Sequence, residues 1–290
     1  MKSLHATLKS ITQRYKINTY EPLKGGTSAY VAKVTFQDQS QAILKIPSIQ
    51  KDEDVDFKQE IRTLQWFNGQ GYVKVLTYDE ELDIVFLELL GQPLANLNWS
   101  IEMQIKLICE TLQKSWKPIE LTTGFPAIEE TVNWFTNYIT TTWRKLHHPC
   151  DMDVIQTALD FLKTRQEYFD ENRVVLVHGD AHNFNLLQTL DGQDFKFIDP
   201  DGIIAEPEYD LGVLMREWIA DIAKNPIQKG KERLMLLVNL TGLDKIAIWQ
   251  WGFIQCVATG LVCLENGASK EGELLLNVAT VWQKVSPSEL

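Results

Sequence analysis

Cysteine is scarce in this chain: Cys109, Cys150, Cys256 and Cys263 are the four in 290 residues, and no C-x-x-C pair occurs. That excludes a disulfide scaffold and makes a reduced, cytoplasmic setting the expectation. Long apolar runs are also missing. The longest covers 251–264 and is interrupted by Gln255 and Thr259, short of the roughly 20 residues a membrane helix needs. Residues 1–17 are polar and basic without an apolar h-region, so no secretory signal and no membrane partner are expected. Positive charge is in deficit, with 28 Lys+Arg against 39 Asp+Glu and a formal net charge of −11. A nucleic-acid binder needs a basic footprint, so that class is excluded. A cationic ligand suits the acidic balance, because negative clefts concentrate positive ligands; an acidic surface that serves only solubility suits it equally. Repeats and low-complexity segments are absent.

What is present is 44% hydrophobic residues, enough for a sizeable core in one large domain or two lobes. Alternation predicts a strand over 30–36 and its partner over 41–46, joined across a turn at 37–40. Val55, Phe57, Ile61, Leu64 and Phe67 form a helical stripe. Short strands are expected over 73–76 and 84–89. Beyond Gly91 the periodicity turns helical, over 101–116, 129–146, 154–168, 211–223 and 243–264. Two strands interrupt the helices, 174–177 and 195–198, read as a hairpin turning at Asp191-Gly192. The expected fold is therefore α+β: a β-rich N-lobe over 1–90 with one helix, and a mainly helical C-lobe over 91–290.

The chemistry-bearing segment starts at His178-Gly179-Asp180. Asn185 follows five positions after Asp180, and Asp199 ends the returning strand. A carboxylate to accept a hydroxyl proton, with a second carboxylate and an amide oxygen to hold Mg²⁺, is the equipment of phosphoryl transfer from a nucleotide. Asp180 fits the first role, and Asn185 with Asp199 the second.

The N-terminal part then has to hold the nucleotide. Gly25, Gly26, Thr27 and Ser28 precede the first hairpin, where backbone N–H groups are placed to cover phosphates. This is neither a G-x-G-x-x-G nor a Walker motif, which disfavours a P-loop enzyme. Lys45 lies in an apolar strand and needs a partner there. Glu60 on the following helix can supply it and orient the ammonium toward phosphates. Glu88 and Leu90 fall in the segment joining the lobes, where backbone groups can meet an adenine.

These motifs resemble the aminoglycoside phosphotransferase and choline kinase superfamily, which has a protein-kinase-like fold. The likeness is nearest to the streptomycin 6-kinase branch, the aminoglycoside/hydroxyurea resistance kinases. It rests on the 178–185 segment, Glu60 to Trp66 with Gly69 and Gly71, Phe86 to Leu90, Ile198 to Asp210, and Gly242-Leu243-Asp244. The resemblance implies ATP and Mg²⁺, Asp180 as catalytic base, Asn185 and Asp199 as metal ligands, and Lys45 as the nucleotide lysine. It further implies His178 in a supporting role and Asp210 as a brace for the catalytic loop. Phe184 stands where relatives usually carry Gly, and Asp201 where they often carry a basic residue. The implied acceptor is a small cationic molecule, streptomycin-like. A kinase for another hydroxylated metabolite, an amino alcohol or sugar, and a nucleotide-binding regulator without turnover stay open.

Overall fold

Alternating apolar residues build the first sheet. In β2 (Ala29–Phe36) Ala32 and Val34 are buried; opposite them, in β3 (Gln41–Pro47), so are Leu44 and Ala42. The same alternation turns Ile43 and Lys45 to the other face. The structure, a computed structural model, describes residues 4–23, 29–47 and 53–290. Contacts divide the chain into two units, 1–97 with 184–201 and 98–183 with 202–290.

In the first unit, α1 (Leu4–Arg14) leads into β1 (Ile17–Pro22), and α2 (Glu53–Phe67) follows β3. With β4 (Val75–Asp79) and β5 (Ile84–Leu87) the strands form an antiparallel sheet in the order β1-β2-β3-β5-β4. Leu8 and Ile11 of α1 join Val34, Ala42, Leu44, Ile84 and Phe86 in one core. Each of these Val, Leu, Ile and Phe side chains, when fully buried, contributes roughly 1.5–3 kcal/mol. Helix α2 packs on β3 and β4 with Phe57, Ile61 and Leu64 buried.

Helix α1 adds a second helix where one was expected. It buries only Leu8 and Ile11, a stripe too short to stand out in sequence. The expected strand over 73–76 lies at Val75–Asp79. Val73 instead donates its N–H to Phe197 O at 2.8 Å. The Asp79 carboxylate ends the strand by accepting the Glu81 and Leu82 N–H groups, both at 3.1 Å.

The expected hairpin is replaced by two pairings. β7 (Leu186–Gln188) pairs with β8 (Phe195–Phe197), and the turn between them contains Asp191 and Gly192. β6 (Val175–Val177) pairs with β9 (Ile203–Ala205). Strands of three residues carry no alternation to identify partners, and the shorter loop closes at lower entropic cost. The β7–β8 hairpin belongs to the first unit, where Phe197 N–H donates to Gly71 O at 2.9 Å and Gly91 N–H to Gln188 O at 2.7 Å.

The second unit holds α3 (Ile101–Ser115), α4 (Ile128–Lys145), α5 (Met152–Glu167), the β6–β9 pair, α6 (Glu208–Arg216), α7 (Ile219–Ile222), α8 (Pro226–Thr241), α9 (Lys245–Glu265) and α10 (Ser269–Trp282). α9 is 21 residues and falls within two residues of the helix expected over 243–264. By length and composition it can cross a membrane, yet 78% of its apolar window is buried inside the fold, against α4, α5, α6, α8 and α10. Its tightest crossing is with α6. A Cβ on Gly212 would stand 2.6 Å from Trp251 Cβ, and one on Gly252 2.5 Å from Met215 Cβ. Only glycine permits that approach.

The helix expected over 211–223 is broken into α6 and α7 at Trp218, which adopts φ 53°. Arg233 from α8 donates to Leu214 O at 2.8 Å and Glu217 O at 3.1 Å, capping α6 with carbonyls that have no helical partner. That cap is supplied by a distant side chain, which local periodicity does not reveal.

Candidate active site

Lys45 lies on the sheet face opposite α1, and α2 covers that face with Glu60 set within its apolar stripe. The buried ammonium stands 2.7 Å from Glu60 Oε2 and 2.7 Å from Asp199 Oδ1. Burial alone would lower the Lys45 pKa, but the two carboxylates outweigh it and hold the group charged. Burial pushes the Glu60 carboxyl up, against the Lys45 charge. Its second oxygen, Oε1, has no hydrogen-bond partner among the described residues.

Asp199 follows β8 with φ 54°, a left-handed conformation that Asp tolerates, and its side chain is 49% exposed. Asn185 immediately precedes β7. Its carbonyl accepts the Ile198 N–H at 2.9 Å, extending the ladder one residue beyond Leu186↔Phe197. The hairpin's open end therefore carries Asn185 and Asp199 at adjoining positions. Phe184 beside them is 59% exposed.

Glu88 does something the sequence did not suggest. Its carboxylate accepts the Lys74 N–H at 2.7 Å and pairs with Lys196 of β8, tying the sheet to the hairpin. Its backbone N–H is taken by Lys74 O at 2.9 Å. The Glu88 carbonyl and the Leu90 N–H have no partner among the described residues. Gly25, Gly26, Thr27 and Ser28 lie outside those residues.

In the second unit, β6 runs into a loop held by Asp210. This carboxylate, 0% exposed, accepts the Gly179 N–H at 2.9 Å, the His178 N–H at 3.1 Å and the Trp116 indole N–H at 2.9 Å. Burial raises its pKa to about 6 despite those three donors. His178 is fully buried, and its Nδ1 accepts the Asp180 N–H at 3.2 Å. Gly179 adopts φ 94°, which suits glycine and turns the chain toward Asp180.

The Asp180 carboxylate is engaged on both oxygens: Arg216 Nη2 lies 2.5 Å from Oδ1, and His182 Nε2 3.2 Å from Oδ2. Burial would raise its pKa, but the Arg216 charge and the His182 hydrogen bond outweigh burial and hold it below the usual carboxylate range. His182 moves the other way: burial disfavours its charge, and Asp180 more than compensates, raising its pKa. Sequence reading missed Arg216, Trp116 and Glu217. None lies at a motif spacing from Asp180, so no local signal marked them.

Glu206 and Glu208 are carboxylates committed to partners within the fold. Glu206 accepts the Trp251 indole N–H at 2.7 Å and faces Arg165 at 3.4 Å. Glu208 is fully buried on Arg173 at 2.7 Å. Trp249, Trp251 and Trp282 are core residues.

The family model for aminoglycoside/hydroxyurea antibiotic resistance kinases matches residues 14–267. No curated protein matches the chain in sequence. Among solved structures, the choline kinase LicA from Streptococcus pneumoniae is similar at 17% identity and TM-score 0.65, over 95% of this chain and 96% of that one. A Plasmodium vivax ethanolamine kinase is similar at 16% identity and TM-score 0.66, over 100% and 90%. The ADP-bound aminoglycoside phosphotransferase APH(2'')-Ib is similar at 12% identity and TM-score 0.63, over 95% and 98%. With the family matched over most of its length, and with an antiparallel-sheet N-lobe and a helical C-lobe of the protein-kinase-like type, this chain belongs to the aminoglycoside/hydroxyurea antibiotic resistance kinases and is a small-molecule phosphotransferase.

Proposed function

We propose that this enzyme moves the γ-phosphate of ATP to a hydroxyl of a small cationic acceptor, with a streptomycin-like aminoglycoside as the class to test first. The observation that carries the donor half is the Lys45 ammonium held between Glu60 and Asp199. A fixed, desolvated cation of this kind stabilises phosphate charge without reorganising during the reaction. ADP in a similar aminoglycoside phosphotransferase supports ATP as the donor. The Glu88 carbonyl and the Leu90 N–H offer one acceptor and one donor to an adenine edge.

Asp199 and Asn185 supply a carboxylate and an amide oxygen at adjoining hairpin positions, hard donors that fit Mg²⁺. Magnesium, when bound, neutralises charge on the phosphate oxygens. Asp180 orients the acceptor hydroxyl. The hydroxyl oxygen bonds to the γ-phosphorus, the bond from that phosphorus to the β–γ bridging oxygen breaks, ADP leaves, and the hydroxyl proton passes to Asp180 and then to water.

The net charge of −11 supports a cationic acceptor. Choline, a quaternary ammonium, and ethanolamine, an amine, named for the similar kinases, each pair a cationic nitrogen with a hydroxyl too. A coupled assay of ADP release from Mg·ATP, with streptomycin, other aminoglycosides, choline and ethanolamine in turn, tests the reading. Streptomycin-dependent turnover supports it; turnover only with an amino alcohol keeps the mechanism and replaces the acceptor. Asp180→Asn should lower kcat by roughly 10²–10⁴-fold while nucleotide binding persists. Full activity in that variant would sink the base assignment.

A further inference from the structure

Arg216 ends α6, and its side chain is 13% exposed. Its guanidinium bridges two carboxylates, Nη2 to Asp180 Oδ1 at 2.5 Å and Nη1 to Glu217 Oε1 at 2.8 Å. Nε is buried with no partner among the described residues. The Gly212 and Gly252 crossing fixes the helix that carries it against α9. A buried ion pair is weak evidence for stability, because desolvation offsets much of the attraction. A role in holding the carboxylate explains better why the group is retained here.

Resting on the reading of Asp180 as base, we infer that Arg216 is a positioning residue for phosphoryl transfer, orienting the Asp180 carboxylate and keeping it in the form that accepts a hydroxyl proton. The charged and titratable groups around Asp180 are His178 and His182 from its own loop, and Asp210, Arg216 and Glu217 from α6 and its end; Cys256 of α9 faces Arg216. Without a cation, burial favours the neutral carboxyl, which would donate to the acceptor hydroxyl rather than accept from it. His182 supplies charge only below its own pKa. A guanidinium stays charged wherever the protein is folded, so only Arg216 makes the acceptor form independent of pH.

The test is a ¹³C-carboxyl NMR titration of the full chain labelled at aspartate, with the Asp180 signal assigned by its loss in D180N. In the wild type this carbon stays at its ionised shift down to acid unfolding. In Arg216→Gln the midpoint moves up by about one to three pH units, into the folded range. Arg216→Lys keeps the charge but not the two-pronged geometry, so its midpoint moves by less; if the Gln variant does not fold, this one is read against the wild type. A signal that stays ionised in the variant, as in the wild type, overturns the inference.

A second arm measures transfer from Mg·ATP to streptomycin. Arg216→Gln should lose about 10²-fold in kcat, most at the acid end of the profile, with KM for ATP within about threefold, and Arg216→Lys should recover part of the loss. A loss confined to KM for ATP also overturns it. If the wild type does not use streptomycin, or if D180N transfers at the wild-type rate, the acceptor or base assignment fails, while the titration still decides on Arg216.

Discussion

The Trp116 indole N–H donates to the Asp210 carboxylate at 2.9 Å, joining residues 94 apart in the chain. The same carboxylate accepts the N–H groups of His178 and Gly179, so one buried side chain couples α3 and α6 to the loop that ends in Asp180. Asp210→Asn replaces one acceptor oxygen by an NH₂ group that must face a donor. The sign of the pH effect follows from burial. The folded-state pKa, about 6, lies above the ordinary aspartate value of 3.8, so the protonated form adds stability that is full below pH 4 and lost as pH rises through 6. Relative to the Asn variant, the wild type should lose on the order of 2–3 kcal/mol between pH 4 and pH 7. Urea midpoints of both proteins at the two pH values check this, and a constant difference would contradict it.

Lys45 holds two carboxylates, and removing it leaves both without their cation. Lys45→Met should cut kcat/KM for ATP by roughly 10²–10³-fold, the scale of a lost preorganised charge contact. Glu60→Gln keeps the hydrogen bond and should cost about tenfold. Steady-state kinetics alongside fluorescent-nucleotide binding separates affinity from turnover. Unchanged KM and kcat in Lys45→Met would remove the lysine from the nucleotide site.

Asn185 and Asp199 are the proposed metal ligands, on the strength of their donor chemistry. Asn185→Ala and Asp199→Asn should each raise the Mg²⁺ concentration giving half-maximal ADP release by about tenfold or more. A magnesium titration at saturating ATP measures it. The same half-saturation in both variants would move the metal elsewhere.

Gly212 sets how closely α6 approaches α9. An alanine Cβ there meets Trp251 Cβ at 2.6 Å, and any shift of α6 to relieve it carries Asp210 and Arg216 along. Gly212→Ala should cost about 1–3 kcal/mol, the range for an overpacked core, and lower activity in parallel. Calorimetry reads the first and ADP release the second. A variant with wild-type melting temperature would show that the crossing has slack.

Much of this was readable before any coordinates. The 30–36 and 41–46 strands follow from alternation, and the long helices from apolar period, because both patterns are local and repeat within one element. That Lys45 would pair with Glu60 follows from the cost of burying a lone ammonium in an apolar strand. Other elements carried too little local pattern. Helix α1 buries only two residues, and β6 to β9 have three residues each. The caps of α8, Asn225 with Pro226 at the start and Gly242 at the end, were in plain view but accompany a weak stripe.

By itself, the sequence determined the motif on which the proposed phosphoryl transfer rests: His178 to Asp180, Asn185 and Asp199, residue types at short spacings along the chain. Tertiary structure alone decided how those groups are held. The partners of Asp180 and Asp210, namely Arg216 and Trp116, come from other elements at no motif spacing, and so do Arg165 and Trp251, which hold Glu206. Packing brings distant residues together through backbone geometry and close helix approach, and those are set by the whole fold rather than by any local run of residues.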